Sequence, residues 1–489
     1  MIKPKKWSAV ASVLTVSALF MAGCGNGNDN NASGPTPSAS ESASTSPSPS
    51  EASPSAASPS PSESEPAKTF DNPELNIAVF QGGYGREYWD SVAEEFMKDY
   101  PGTKINITAS PKIAELVRPK IVAGNPPDFM YIAGSDNTPI LDGLIKDKAL
   151  LDLTDVFEGA GADGTPLKNK ILPGVLEARS NSPYGDGKIY LAPYNFGVMG
   201  LWYNKALFDG KGIATPKTWE ELFASAAVAK ENGRALFTYQ GLYPGYLEEM
   251  IVPAIYGAGG QAALDQFFNY DPEFWKSDVY KKVWGLLERI ATDDNALMKG
   301  TVALNHTQSQ TAFLQGKAMF IPNGTWFEDE MKDAPREEGF QFGFLGVPAL
   351  DAGGQVMALT SVEQMVIPAK AKNPELAKAF LQYLYSEKSI KLNAEKAKGV
   401  LAVTGAPDLA KEFLSETTYN IYKAVDSGMM AVSGSFKPVA KGSKYNPSDE
   451  VYKPISSIMS KQLTLDAYSE KLYKVYSEIK QELEASGAQ

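Results

Sequence analysis

Few side chains in this sequence are equipped for covalent or metal chemistry. It holds one cysteine, Cys24, and one histidine, His306. A single cysteine rules out a disulfide within the chain and a cysteine-rich zinc site. A single histidine leaves little room for a Ser-His-Asp triad, and no Asp-rich loop has calcium-binding spacing. No metal and no cofactor is therefore expected. Acid–base work by carboxylates stays open, with Asp136, Glu248, Glu249 and Glu363 as candidates. Nothing in their spacing selects a pair, and abundant carboxylates ordinarily form a solvated face. The aromatic residues are more suggestive. Tyr84 shares a loop with Gly82, Gly83 and Gly85; such glycines let a backbone approach a bound molecule closely, or simply make a tight turn. Tyr239, Tyr243 and Tyr246 cluster after an extended run, where flat rings either cover an apolar ligand face or join the core.

Cys24 sits in an address. Lys3, Lys5 and Lys6 precede the apolar stretch Trp7 to Met21, which leads into Met21-Ala22-Gly23-Cys24. That stretch is about 15 residues, short of the roughly 20 that span a bilayer. Residues 1–23 read as a secretory signal and the junction resembles a bacterial lipobox, with Cys24 the lipidated residue. The plainer alternative is ordinary cleavage beside an incidental cysteine. Residues 24–69 are a Ser/Pro-rich linker without aromatic or large aliphatic side chains, a composition expected to stay disordered. The expected location is the outer face of the cell membrane, held by lipid.

The 489 residues exceed one ordinary domain, and 43% hydrophobic with 21% charged residues suits a soluble globular protein. A net charge of -12 repels phosphate backbones and excludes nucleic acid as a partner.

The candidate residues need elements to hold them. Leu75 to Phe80 reads as a strand buried on both faces. Arg86 to Tyr100 carries Trp89, Val92, Ala93, Phe96 and Met97 at helical spacing and stops at Pro101-Gly102. Lys104 to Thr108 predicts a strand, Pro111 to Val122 a helix that Pro119 could kink, and Phe129 to Ile132 a third strand. This alternation predicts a parallel α/β sheet, which binds ligands beyond the carboxyl ends of its strands. Tyr84, Ser135 and Asp136 occupy those ends; Asp136 either contacts ligand or caps the next helix. Farther on, Ile189 to Ala192 and Met199 to Tyr203 read as two extended runs. Thr218 to Glu221 forms a capping box in which the Glu221 carboxylate returns to the Thr218 N–H. Ala235 to Thr238, Ala318 to Ile321 and Val362 to Ile367 are extended; Gly245 to Ile255, Val279 to Ile290, Pro374 to Tyr385 and residues 465–485 are helical.

Six signposts then appear in order: Asn125-Pro126-Pro127-Asp128, Trp202-Tyr203-Asn204-Lys205, Pro216 to Glu221, Phe313 to Met319, Asn323-Gly324-Thr325-Trp326, and Lys372 to Ala377. Together they resemble the extracellular solute-binding proteins of bacterial carbohydrate ABC importers. Gly82 to Gly85 and Gly124 to Phe129 look most similar to the members that bind N-acetylglucosamine and chitobiose. The resemblance implies an α/β, two-lobed periplasmic-binding-protein-like fold with a three-segment hinge. Lobe one would be 75–195 plus 362–427, and lobe two 198–358 plus 432–489. The crossings would fall near Tyr194–Val198, Leu359–Ser361 and Gly428–Ala431, with Gly197 and Gly428 as hinge points. The implied role is capture of a sugar and delivery to the importer's membrane subunits by a monomer that breaks no bond.

The same resemblance makes Trp326 the leading candidate to stack on a sugar, the alternative being a core tryptophan. It also places Asn195 and Phe196 in the first crossing, Glu363 just after the second, and Phe436 after the third, all facing a cleft. Tyr239 and Tyr243 would stack from lobe two, and Asp128 would serve a turn. The rival reading is a cell-surface enzyme that cleaves glycans with two of the four carboxylates.

Overall fold

The computed structural model describes residues 70–133, 138–160, 164–426 and 429–486. Cys24 and the linker, Ser135, Asp136 and Gly428 lie outside the described residues.

β1 (Glu74–Phe80) pairs in parallel with β2 (Lys104–Ser110) on one edge and β3 (Phe129–Tyr131) on the other. Its side chains alternate between two cores, as a doubly covered strand requires. Leu75, Ile77 and Val79 meet Trp89, Phe96 and Phe380, while Ala78 meets Met130, Ile113 and Val117. Asp128 fastens this end of the sheet. It is 2% exposed, and its carboxylate accepts from the backbone N–H of Asn76, Lys372 and Asn373 at 2.9, 2.9 and 3.0 Å. The expected turn residue is thus a buried clamp that ties β1 to the start of the helix Pro374–Leu384.

The remaining strands are β4 (Ala192–Asn204), β5 (Ala235–Phe237), β6 (Ala318–Gly324), β7 (Phe342–Leu345), β8 (Met357–Val366) and β9 (Met430–Val432). One mixed sheet runs β2-β1-β3-β8-β4-β6-β5, with β7 on β4 and β9 on β8. The run expected at Met199–Tyr203 belongs to one strand of 13 residues that starts at Ala192 and takes in the expected connection 193–198; Ile189 to Leu191 of the other run lie outside that strand. Its register against β8 slips between Pro193 and Phe196, since Pro193 has no N–H to give the ladder. Gly197 therefore lies within a paired strand, opposite Ser361.

β8 bonds to β4 along one edge; Leu359 pairs with Val432 of β9 and Met365 with Tyr131 of β3 on the other. Among the described residues no strand pairs with that second edge between β9 and β3, where Glu363 sits.

Two expected helix boundaries differ in detail. Thr218 Oγ1 accepts from the Glu221 N–H at 3.2 Å, but the Glu221 carboxylate returns to the Lys217 N–H at 2.6 Å. The box is one residue wider than expected. The helix predicted to end at Ile255 continues from Glu248 to Phe268, past Pro253 and a kink at Gly260, whose φ of 65° suits glycine. The second large core holds Trp219, Trp275 and Trp284 against Tyr468, Leu472, Tyr476 and Ile479 of the helix Leu465–Ala485. Trp202, Trp219, Trp275 and Trp284 are each at most 2% exposed, so none of the four can stack on a ligand.

Candidate functional site

β6 ends at Gly324, and Trp326 follows on the turn into the short helix Phe327–Glu330. Its indole is half-buried and rests on glycine. A β-carbon on Gly324 would stand 2.2 Å from the ring, and one on Gly197 would stand 3.2 Å away. At Gly324 a side chain would displace the ring, whereas at Gly197 the ring would have to give by only a few tenths of an ångström. A β-carbon on Gly83 would come within 3.7 Å of the Trp326 β-carbon. Trp326 thus lies where the Tyr84 loop, β4 and β6 meet.

Tyrosines gather around Glu363 on β8. The Tyr131 hydroxyl donates to Glu363 Oε2 at 2.6 Å. Burial pushes the Glu363 carboxyl up to about 7, and the Tyr131 hydrogen bond opposes that rise. Burial, then the charge of Glu363, holds the Tyr84 and Tyr131 hydroxyls well above the ordinary phenol value. Burial, then Tyr88 and Glu363, does the same for Tyr194. Tyr422 donates to the Phe196 carbonyl at 2.8 Å, and its hydroxyl lies 3.0 Å from Thr325 Oγ1. That contact joins β4 to the residue before Trp326. A half-buried carboxyl ringed by phenols and set beside an indole supplies hydrogen-bond donors and acceptors next to a flat apolar surface, which is what a pyranose presents in reverse.

The structure brings together Tyr84, Trp326 and Glu363 of the expected set. It places three others elsewhere. Asn195 is fully buried, and its Oδ1 accepts from Asn393 Nδ2 at 2.7 Å, so it braces β4 against the helix Glu387–Ala397 rather than facing a cleft. Tyr239 is fully buried in the second core beside Phe237. Phe436 packs on Phe267, Phe268 and Tyr270, parallel to the last at 6.0 Å. Each was chosen for its place in the chain, which does not set the direction of a side chain. Tyr243 stays half-exposed, its ring 5.5 Å from His306.

Tyr131, Tyr194, Thr325 and Tyr422 were not singled out by sequence. Tyr131 lies inside a predicted strand whose residues all read as core. Tyr422 is brought in from a helix far along the chain.

Among the described residues, no group of three His, Cys, Asp or Glu side chains could hold a metal ion, and no helix is long and apolar enough to cross a membrane.

These features meet those of known proteins. The chain belongs to the bacterial extracellular solute-binding proteins, whose family model matches residues 82–391. Members of this family bind solutes outside the cytoplasm. The diacetylchitobiose-binding protein NgcE of Streptomyces coelicolor is 26% identical over 325 residues, 65% of this chain and 67% of its own. A maltooligosaccharide ABC transporter solute-binding lipoprotein of Streptococcus pneumoniae is 25% identical over 384 residues, 73% of this chain and 81% of its own. A solved chitin oligosaccharide binding protein superposes with a TM-score of 0.64 at 19% identity, covering 84% of this chain and all of that one. The fold is accordingly the two-lobed α/β periplasmic-binding type, as the signposts implied.

Proposed function

We propose that the chain captures a carbohydrate at the Trp326–Glu363 cluster and hands it intact to the membrane subunits of an ABC importer. The observation that carries this reading is the half-exposed indole on its glycine platform, beside a carboxyl ringed by phenols. The indole would cover the CH face of a sugar and the carboxyl would serve its hydroxyl rim. With a value of about 7, the Glu363 carboxyl both donates and accepts near neutral pH.

The lobes in this reading are 75–195 plus 362–427 and 198–358 plus 432–489, hinged where β4, β8 and β9 run side by side. Contacts from both lobes favour a closed form when ligand is present. The NgcE relative supports N-acetylglucosamine or chitobiose as cargo, with Ser135 and Asp136 as further contacts. The lipoprotein-named relative supports a Cys24 lipid anchor on the outer face of the cell membrane. The relatives, which are solute- and sugar-binding proteins, lend no support to bond cleavage.

Thermal-shift measurement against mono- and oligosaccharides, followed by analysis of the recovered sugar, tests the proposal. Stabilisation with intact sugar is expected. Stabilisation by no carbohydrate, or appearance of cleavage products, overturns it.

A further inference from the structure

Tyr84 stands beyond the carboxyl end of β1. The amino ends of β1 and its parallel neighbour β3 gather a different chemistry. The helix Ile113–Val122 packs Ile113, Ala114 and Val117 against Ala78 and Met130. Its other face meets solvent. There Leu116, Pro119 and Val122 stand three residues apart and so form one apolar stripe. Leu116 is 48% and Val122 82% exposed, and among the described residues only Leu242 joins them as an exposed large hydrophobic side chain.

Lysines cluster where the stripe ends. The Asn125 N–H donates to the Lys120 carbonyl at 2.9 Å, just before Asp128. The Asp128 carboxylate in turn holds the Lys372 N–H at 2.9 Å. The Ala369 N–H donates to the Ala149 carbonyl at 2.8 Å, which brings Lys148 and Lys370 to the same end. Lys120, Lys148, Lys370 and Lys372 are exposed, and none makes an ion pair with a described residue. Of the exposed acids here, Glu74 pairs with Lys104 at 3.2 Å and Asp147 with Lys441 at 2.9 Å, leaving Asp71 and Glu375. This end is therefore cationic on a chain of net charge -12. An anionic surface repels such a chain as a whole and attracts it through a patch of this kind. The linker also enters the described residues at this end. Asn373, next to Lys372, donates from Nδ2 to the Glu74 carbonyl at 2.9 Å, four residues past Phe70.

We infer that the Leu116–Pro119–Val122 stripe, with Lys120, Lys148, Lys370 and Lys372, docks on the anionic lipid surface of the membrane to which the proposed Cys24 anchor ties the chain. The apolar side chains enter the headgroup boundary and the ammonium groups meet lipid phosphates. Held so, the carboxyl ends of β1 and β3 face away from the membrane. Tyr84 and the cluster beside it then stay open to arriving sugar.

The test is hydrogen exchange of the full chain reconstituted from detergent into vesicles. Vesicles of phosphatidylcholine alone are compared with vesicles holding about a quarter phosphatidylglycerol. Residues 113–125 should exchange about threefold more slowly on the anionic vesicles, and the slowing should shrink in about 1 M salt, where charges are screened beyond about 3 Å. Residues 236–246, around exposed Leu242, should exchange alike on both. Lys120→Gln with Lys372→Gln, and Leu116→Ser with Val122→Ser, should each remove most of the slowing. All four side chains are exposed, so the parent Tm should hold. Equal exchange of 113–125 on both vesicles, equal slowing of 236–246, or slowing unchanged in both variant pairs overturns the docking face. Slowing that appears only once importer membrane subunits are added also overturns it and gives the face to a protein.

Discussion

The Tyr131 hydroxyl donates to Glu363 Oε2 across 2.6 Å, although 232 positions separate the two residues. A donor held on a carboxylate favours its charged form. In Tyr131→Phe the Glu363 carboxyl should therefore titrate at higher pH than its present value of about 7. The pH profile of sugar affinity should move upward with it. A profile unmoved from the parent's, measured by calorimetry from pH 5 to 9, would show that this carboxyl does not govern binding.

Glu363 and Glu248 both hold values of about 7 in the folded chain against an ordinary 4.5, burial being the main cause. Each keeps its proton longer folded than unfolded. Their contribution to stability is thus whole below about pH 4.5 and is lost as pH rises through about 7. Tm should fall between pH 5 and 8 on their account. Glu363→Gln and Glu248→Gln should each flatten that fall; slopes identical to the parent's would refute the assignment.

Trp326→Ala should weaken sugar binding at least tenfold, about 1.4 kcal/mol, with the fold retained by circular dichroism. Gly324→Ala should act on the same ring by displacement, since its β-carbon would sit 2.2 Å from the indole. It should cost more affinity than Gly197→Ala, where the approach is 3.2 Å. Unaltered titrations in Trp326→Ala would remove the indole from the site.

Asp128→Ala should destabilise the chain by about 3 kcal/mol, because three backbone N–H groups, one buried and two part-buried, lose a charged acceptor. Urea denaturation reads this directly. Sugar affinity of the folded fraction should hold, since the clamp lies at the amino end of β3, opposite the ligand end. A midpoint equal to the parent's would contradict the clamp.

Cys24→Ser should move the protein from the membrane fraction to the medium if acylation of that residue is its anchor. Retention in washed membranes would point to another attachment.

The elements around these residues were legible because their signals are local. The apolar run at Leu75 to Phe80, the helical spacing from Trp89 to Met97 and the last helix each appear where periodicity placed them. Tyr84 was legible as a candidate because glycines and a strand end mark where backbone opens, and Trp326 because it stands in a family motif. The family was legible because its motifs come in order. What the sequence could not decide was direction and distance. Nothing local turns Asn195 toward Asn393, buries Tyr239, or stacks Phe436 on Tyr270. Tyr131, Glu363 and Tyr422 meet only because β8 lies beside both β3 and β4, and strand pairing between distant segments is chosen by the packing of the whole sheet. The composition and order of the parts belong to the sequence; the carboxyl among phenols belongs to the tertiary structure.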